Sequence, residues 1–347
     1  MKNGLLKKAI VGLGIVCMVA ISPVWANSSE NENSLENIFQ NVTFSGLIEA
    51  EATATSDFEG TDESDIALAT VELGFDSPIT QWGSGHVLLA WDDGDDKITV
   101  DEAIITIGNS EKTPVYLSVG RMYVPFGNFE TNMISDTFTL FLGETQEDAA
   151  QVGFETNGFY GSMYVFNGDT NEETNGDSEI EQFGTNIGYA IENDNFSLDV
   201  NAGYINSLLD SNELQDALTV EGHDYIGGLD IAAVLNFNAF TLIGEYLTAL
   251  DDYETGSEKY ELKAYNIELG YTFDISGKET TIAAGYQGSD DCAAYLPETR
   301  LIGAISVAIM DGMSLSLEYA YDDDYDENEG GTGEDADSIT AQIAYEF

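Results

Sequence analysis

The stretch Asp337-Ser338-Ile339-Thr340-Ala341-Gln342-Ile343-Ala344-Tyr345-Glu346-Phe347 decides how the rest of the sequence is interpreted. Its apolar residues share one parity: Ile339, Ala341, Ile343, Tyr345 and Phe347. The residues between them are mostly polar, and a period of two is the pattern of a β-strand with one apolar face. Its length matches the roughly 9–11 residues that a tilted strand needs to cross a lipid bilayer. The apolar face therefore points either at a protein core or at lipid, and the other strands must decide between the two.

The same alternation recurs from residue 42 to residue 347 and predicts about sixteen strands. Short joints such as Asn238 and Asp311-Gly312 carry turn-forming residues. They alternate with longer acidic connections such as residues 207–224 and 323–336. An even number of strands with this alternation is typical of outer-membrane barrels, whereas a β-sandwich has too few strands and a solenoid needs a short repeat. We therefore predict an all-β fold, a transmembrane antiparallel up-and-down β-barrel. We also predict a turn over residues 77–84, which contain Pro78.

The first 26 residues have the features of a secretory signal peptide. Three lysines precede an apolar run, and Val24-Trp25-Ala26 resembles a cleavage site. We predict cleavage after Ala26, a short periplasmic lead-in over residues 27–41, and a barrel over residues 42–347. These features place the protein in the bacterial outer membrane.

The net charge of −54 at pH 7 excludes nucleic acid as a partner, because phosphate binding needs Lys and Arg. A set of strand carboxylates falls on the polar parity, and a charge on the lipid face costs a few kcal/mol. We therefore predict that they line the pore: Glu49, Glu51, Glu72, Glu102, Asp199, Asp230, Glu245, Glu268 and Glu318. A lumen lined mainly by carboxylates concentrates cations. The alternative is a solvated wall with weak selectivity.

The acidic loops do not form a recognisable metal site. Residues 324–330 approach an EF-hand loop, but the glycine is one position late and position twelve is Asp335 instead of Glu. We predict no metal site and no cofactor. Loose binding of divalent cations, bridging to lipopolysaccharide, is an alternative to a simple solvated surface.

Residues 123–145 form the longest and least periodic connection, and they are apolar in places. An apolar loop needs a surface to bury against, so we hypothesise that it folds into the lumen and narrows the pore. Arg121 at its base would pair with wall carboxylates. The alternative is a loop packed on the outer rim. Candidate residues of this constriction are Arg121, Pro125, Phe126, Gly127, Asp136 and Glu144.

The strand before this connection ends in Gly120-Arg121, and these residues, with Pro125-Phe126-Gly127, Ser135-Asp136 and Gly143-Glu144-Thr145 of the connection, resemble the LbtU-type siderophore porins. The resemblance implies a sixteen-stranded barrel that admits a ferric siderophore, although the lead-in is shorter than in some relatives. The acidic interior argues against the phosphate-selective porins, which share the Pro-Phe-Gly element more loosely. The last strand resembles the assembly signal of outer-membrane barrels, which implies that the barrel-assembly machinery recognises Phe347.

Three function classes follow from these observations. The first is a porin for a ferric siderophore or for small cationic solutes in general. The second is a structural or adhesive barrel that acts through its acidic loops. The third is an outer-membrane lipase or acyltransferase, which needs a Ser–His pair. Only His86 and His223 exist, and no Gly-x-Ser-x-Gly element surrounds a serine near them, so we do not predict an enzyme.

Overall fold

We describe the protein from a computed structural model, which covers residues 42–108, 112–170, 180–217, 224–255, 258–293 and 295–347. The predicted signal peptide, the predicted lead-in and His223 lie outside the described residues. None of the helices among the described residues is long and apolar enough to cross a membrane.

Sixteen strands close into one antiparallel barrel, which confirms the predicted fold. The barrel strands are β1 (Thr43–Ser56), β2 (Asp62–Thr80), β3 (Gly83–Asp92), β4 (Thr99–Gly108), β5 (Val115–Tyr123), β6 (Gln146–Thr156), β7 (Phe159–Phe166), β8 (Gln182–Asn193), β9 (Phe196–Ile205), β10 (Gly228–Phe237), β11 (Phe240–Ala249), β14 (Lys263–Ile275), β15 (Lys278–Asp290), β16 (Thr299–Met310), β17 (Met313–Asp323) and β18 (Asp335–Glu346). A separate two-stranded sheet, β12 (Tyr253–Thr255) and β13 (Glu258–Tyr260), lies in the connection between β11 and β14. Two short helices, α1 (Phe138–Gly143) and α2 (Asn212–Ala217), and a 3₁₀ helix (Leu208–Asp210) also lie in connections.

The exposure pattern of β18 follows the alternation of its sequence. Ile339, Ile343 and Tyr345 are exposed on the outer face, whereas Thr340 and Gln342 are buried inside the barrel. Exposed large apolar side chains recur in this way around the barrel. An outward apolar face on every strand is the arrangement that a lipid environment requires.

Two-residue turns join strands at one end of the barrel, as the sequence predicts. The residues Asn157-Gly158 and Ser276-Gly277 all have positive φ, which is the geometry that favours Asn and Gly in tight hairpins. The predicted turn at residues 77–84 is confined to Gln81 and Trp82, because β2 continues through Pro78 to Thr80. A register irregularity between Pro78 and Thr80 explains this, since a bulge tolerates a residue without an N–H group.

The barrel closes where β18 pairs with β1. The Gly46 N–H donates to the Phe347 carbonyl oxygen over 3.0 Å, and the Phe347 N–H donates to the Gly46 carbonyl oxygen over 3.1 Å. A Cβ at Gly46 would lie 2.4 Å from the Phe347 ring, so the glycine makes room for the terminal aromatic side chain.

Candidate functional site

The connection between β5 and β6, residues 124–145, folds into the barrel; we call it the inner loop. Carboxylates on three different strands hold it there, and we call them the latch glutamates: Glu245 on β11, Glu268 on β14 and Glu318 on β17. All three are at most 6% exposed. Of the two positions considered for this connection, the structure therefore shows the one inside the lumen.

Glu245 anchors both arms of the inner loop. Its Oε1 accepts the backbone N–H groups of Asn128 and Phe129 over 2.7 and 3.0 Å. Its Oε2 accepts the Thr139 hydroxyl over 2.6 Å. Because Asn128 precedes the tip of the loop and Thr139 follows it, one carboxylate binds the outgoing and the returning chain together.

Glu268 and Glu318 hold the tip of the inner loop. Glu268 accepts the Thr131 hydroxyl over 2.5 Å and the Asn132 N–H over 2.8 Å. Glu318 accepts the Ile134 N–H and the Ser135 hydroxyl, both over 2.5 Å. The N–H and O–H donors of the inner loop thus take the place of water molecules around these carboxyl groups.

Helix α1 completes the attachment. Thr137 caps it by accepting the Leu140 N–H over 3.1 Å. The Phe138 N–H donates to Gln287 Oε1 on β15 over 3.0 Å, and the Phe138 ring lies under the Arg300 guanidinium, 4.9 Å from it. Arg300, on β16, also makes a bidentate pair with Asp322, with N–O distances of 2.7 and 2.9 Å. The charge of this arginine is therefore already neutralised.

The Pro125-Phe126-Gly127 element turns the chain from the wall into the lumen. Phe126 is 1% exposed, and its ring packs where Gly203 and Gly228 leave room, since a Cβ at either would lie 3.1 Å from it. Gly127 has φ of 82° and is covered by the Phe129 ring. This element is a packing and turning device, and its residues do not contribute charge to the lumen.

A second connection supports the inner loop, which the sequence did not indicate; we call residues 206–217 the second loop. The Asn212 N–H donates to the Glu144 carbonyl oxygen over 2.8 Å, and Asn212 Oδ1 accepts the Gln146 N–H over 2.9 Å. Leu208, Leu209 and Leu214 are fully buried in the same apolar cluster as the inner loop. The second loop therefore fixes the returning end of the inner loop.

Carboxylates of both loops gather near the lumen. Asp136 is exposed to the lumen but enclosed by loop and wall. Burial raises its pKa to about 6, with Glu213 on α2 adding to the rise and Arg300 opposing it. Burial and the charge of Asp136 also raise the pKa of Glu144 to about 7. We call Asp136, Glu144 and Glu213 the constriction carboxylates; Asp136 and Glu213 both raise the pKa of Glu144, so the acids of the two loops lie close enough to repel one another.

The other predicted pore-lining carboxylates divide by burial. Glu49 and Glu102 are 3% and 4% exposed, and Asp230 is fully buried on β10. The register places Asp230 diagonally beside the latch residue Glu245. A second group is half-buried: Glu51, Glu72 and Asp199. The nine predicted residues therefore include three that hold the inner loop and three that are partly exposed on the wall.

Arg121 makes no ion pair with a carboxylate of the described strands, so the expected pairing with the wall is not seen there. Its Nε and Nη2 both donate to Gln146 Oε1, over 3.1 and 2.7 Å. The Gln146 side-chain N–H in turn donates to Asp101 over 2.7 Å. The Gln146 amide therefore lies between the Arg121 guanidinium and the Asp101 carboxylate.

His86 contacts acids instead of a serine. Its Nδ1 lies 2.8 Å from Asp76 Oδ1, and its Nε2 lies 3.3 Å from Glu102 Oε2. No group of three or more His, Cys, Asp or Glu side chains that could hold a metal ion occurs among the described residues.

No protein-family model matches the sequence. A UPF0422 protein of Coxiella burnetii is 28% identical over 310 residues, which is 84% of this chain. A UPF0422 protein of Legionella pneumophila strain Lens is 25% identical over 356 residues, which is 88% of this chain. Each alignment covers 66% of the relative, so the chain spans slightly less than two thirds of the curated relatives that it matches.

Several solved structures share the fold. The outer membrane channel DcaP of Acinetobacter baumannii superposes with a TM-score of 0.62 at 14% identity, over 88% of this chain and 97% of that one. An anion-selective porin from Comamonas acidovorans gives 0.63 at 11% identity, over 88% and 99%. OmpF of Salmonella typhi gives 0.60 at 16% identity, over 88% and 98%. At these identities the likeness is one of fold, and this chain therefore has the fold of the outer-membrane porins.

Proposed function

We propose that the protein is a porin of the bacterial outer membrane whose constriction favours small cations. The observation that carries this proposal is the excess of carboxylates on the two connections that pack together inside the barrel: Asp136, Glu144 and Glu213, with Arg300 already paired to Asp322. A fixed negative charge in a narrow aqueous passage attracts cations and repels anions.

An anion-selective porin shares this fold. This likeness is compatible with cation selectivity, because ion selectivity depends on the charges in the lumen and not on the strand topology. One carboxylate about 7 Å from an ion in a water-like medium contributes about 0.6 kcal/mol. That energy changes the local concentration of a monovalent ion by about threefold, and several carboxylates act together.

The test is a planar-bilayer recording of the refolded protein under a KCl gradient. We expect a reversal potential of the sign set by K⁺ permeation. Asp136→Asn is expected to reduce the ratio of cation to anion permeability by about sevenfold, because the local cation concentration falls and the local anion concentration rises by about threefold each. Asp326→Asn, which removes a charge from an exposed outer loop, is the matched control and should leave the ratio unchanged. A reversal potential of the anion sign in the wild type would refute cation selectivity.

A ferric siderophore is the second candidate solute. It rests on the resemblance to the LbtU-type siderophore porins, and it is supported by the position of that resemblance, which runs from the end of β5 through the inner loop held by the latch glutamates. Adding ferric siderophores to the same recording tests it: interruptions of the current that depend on siderophore concentration would support a substrate-selective porin. Current without interruptions would leave a general cation-selective porin, and absence of conductance would favour the structural or adhesive barrel.

The remaining expectations are parts of the same proposal. They are signal-peptide cleavage after Ala26, recognition of Phe347 by the barrel-assembly machinery, and loose bridging of the acidic loops to lipopolysaccharide by divalent cations. The pairing of Phe347 with Gly46 at the closing seam supports a role of this residue in assembly.

A further inference from the structure

The base of the second loop holds a group of buried oxygen atoms that make no hydrogen bond to any described residue. They are Asp210 Oδ2, Ser207 Oγ, Ser211 Oγ, Thr170 Oγ1 and Gln182 Oε1. Each of these five side chains is at most 2% exposed. Folded proteins leave few buried polar atoms unpaired, and several of them in one place indicate a bound water molecule or ion.

Three segments of the chain bring these atoms together. The Thr170 N–H, beyond the end of β7, donates to Asp210 Oδ1 over 2.7 Å. The Gln182 side-chain amide, at the start of β8, donates to the Thr170 carbonyl oxygen over 2.8 Å. The Asp210 carboxyl group packs on Gly168, where a Cβ would lie 2.5 Å from its Cγ. Ser207 and Ser211 flank the 3₁₀ helix that carries Asp210.

The charge of Asp210 is not balanced by a basic side chain. Within the described part of the chain it has no ion pair. Burial raises its pKa, whereas the nearby Ser207 and Thr170 hydroxyls and the Thr170 and Asp169 N–H groups oppose this effect. A negative charge that is buried without an opposite charge is destabilising. A bound cation would supply the missing charge and would also give partners to the neutral oxygens.

We propose that Asp210, Thr170, Ser207 and Gln182 bind one hard cation, with Ca²⁺ as the probe, and that this ion ties the second loop to the ends of β7 and β8. The donor atoms are all oxygens, which Ca²⁺ prefers, and water molecules would complete its six to eight ligands. A single carboxylate gives a weak site, so we expect a dissociation constant of about 10⁻⁴–10⁻³ M. This proposal does not depend on the proposed function.

The experiment is a calorimetric titration of the full chain, refolded in detergent and treated with EDTA, with CaCl₂ in about 0.15 M KCl to screen the diffuse acidic surface. We expect the wild type to bind one more Ca²⁺ in this range than Asp210→Asn does. Asp326→Asn removes an exposed loop charge and should keep that ion. Migration of the unheated protein in gel electrophoresis checks that each variant is folded.

Gln182→Met provides a second variant, because it removes an oxygen ligand without changing charge. We expect Gln182→Met to weaken Ca²⁺ binding by about threefold to tenfold. If Asp210→Asn does not fold, this variant alone tests whether the Ca²⁺ site exists. Identical titration curves for the wild type and a folded variant at either position would overturn the proposal. The base of the second loop would then hold only a water molecule, or the hydroxyl groups would donate to a protonated Asp210 carboxyl group.

Discussion

Removal of Glu318 tests whether the latch glutamates hold the inner loop. Glu318 accepts the backbone N–H groups of Ile134 and Ser135 and the Ser135 hydroxyl. Hydrogen bonds to a charged group contribute about 1.5–3 kcal/mol each, but donors released into the lumen recover water. We therefore expect Glu318→Ala to destabilise the docked tip by about 2–4 kcal/mol. At about 1.4 kcal/mol per factor of ten, the undocked fraction rises by roughly 30- to 700-fold.

Hydrogen exchange of the Ile134 and Ser135 amides measures this change directly, since exchange requires the tip to leave Glu318. We expect both amides to exchange at least thirtyfold faster in Glu318→Ala than in the wild type. The control is Glu51→Ala, which removes another glutamate of the barrel wall. Glu51 accepts a hydrogen bond from the Gln342 side-chain amide on β18. Exchange rates within threefold of the wild type in Glu318→Ala would refute the latch, and so would equal acceleration in Glu51→Ala.

Three further predictions concern other parts of the molecule. Lowering the pH from 8 to 5 should reduce cation selectivity with a midpoint between pH 6 and 7, because Asp136 and Glu144 bind protons there and lose their charge; a pH-independent reversal potential would contradict this. Phe347→Ala should lower the yield of folded barrel in the outer membrane, measured by heat-modifiable migration, whereas Phe347→Tyr should preserve it. Gly120→Ala should destabilise the barrel by about 1–3 kcal/mol, because φ is 142° there and a Cβ would lie 1.9 Å from the Ala103 carbonyl oxygen; unchanged denaturant unfolding would show that β5 adjusts.

The barrel could be predicted from the sequence because its strands and turns are specified by residues that are close together in the chain. The alternation in a stretch such as 337–347 identifies both the strand and its outer face, and Asn157-Gly158 identifies a turn without reference to distant residues. Pro78 is the exception, because a bulge that depends on the neighbouring strand permits proline within β2. Parity also indicates which carboxylates face inward.

The division of those carboxylates into latch and lumen residues could not be predicted, because it depends on contacts between distant parts of the chain. Glu245 and Asn128 are 117 residues apart, and Glu318 and Ile134 are 184 apart. An inward glutamate has the same sequence pattern whether it faces water or a loop. Glu213 and the second loop were missed for a similar reason, since a short polar helix gives no sign of what it packs against.

The attachment of the inner loop also has a mechanical consequence. Its contacts reach β9, β10, β11, β14, β15, β16 and β17, which are consecutive around the barrel. The loop therefore acts as a brace on one side of the cylinder, and lateral pressure from the bilayer would deform the unbraced side first. The inner loop both supports these strands and occupies the lumen. A substitution that loosens the loop is therefore expected to change the stiffness of the barrel wall and the width of the pore together.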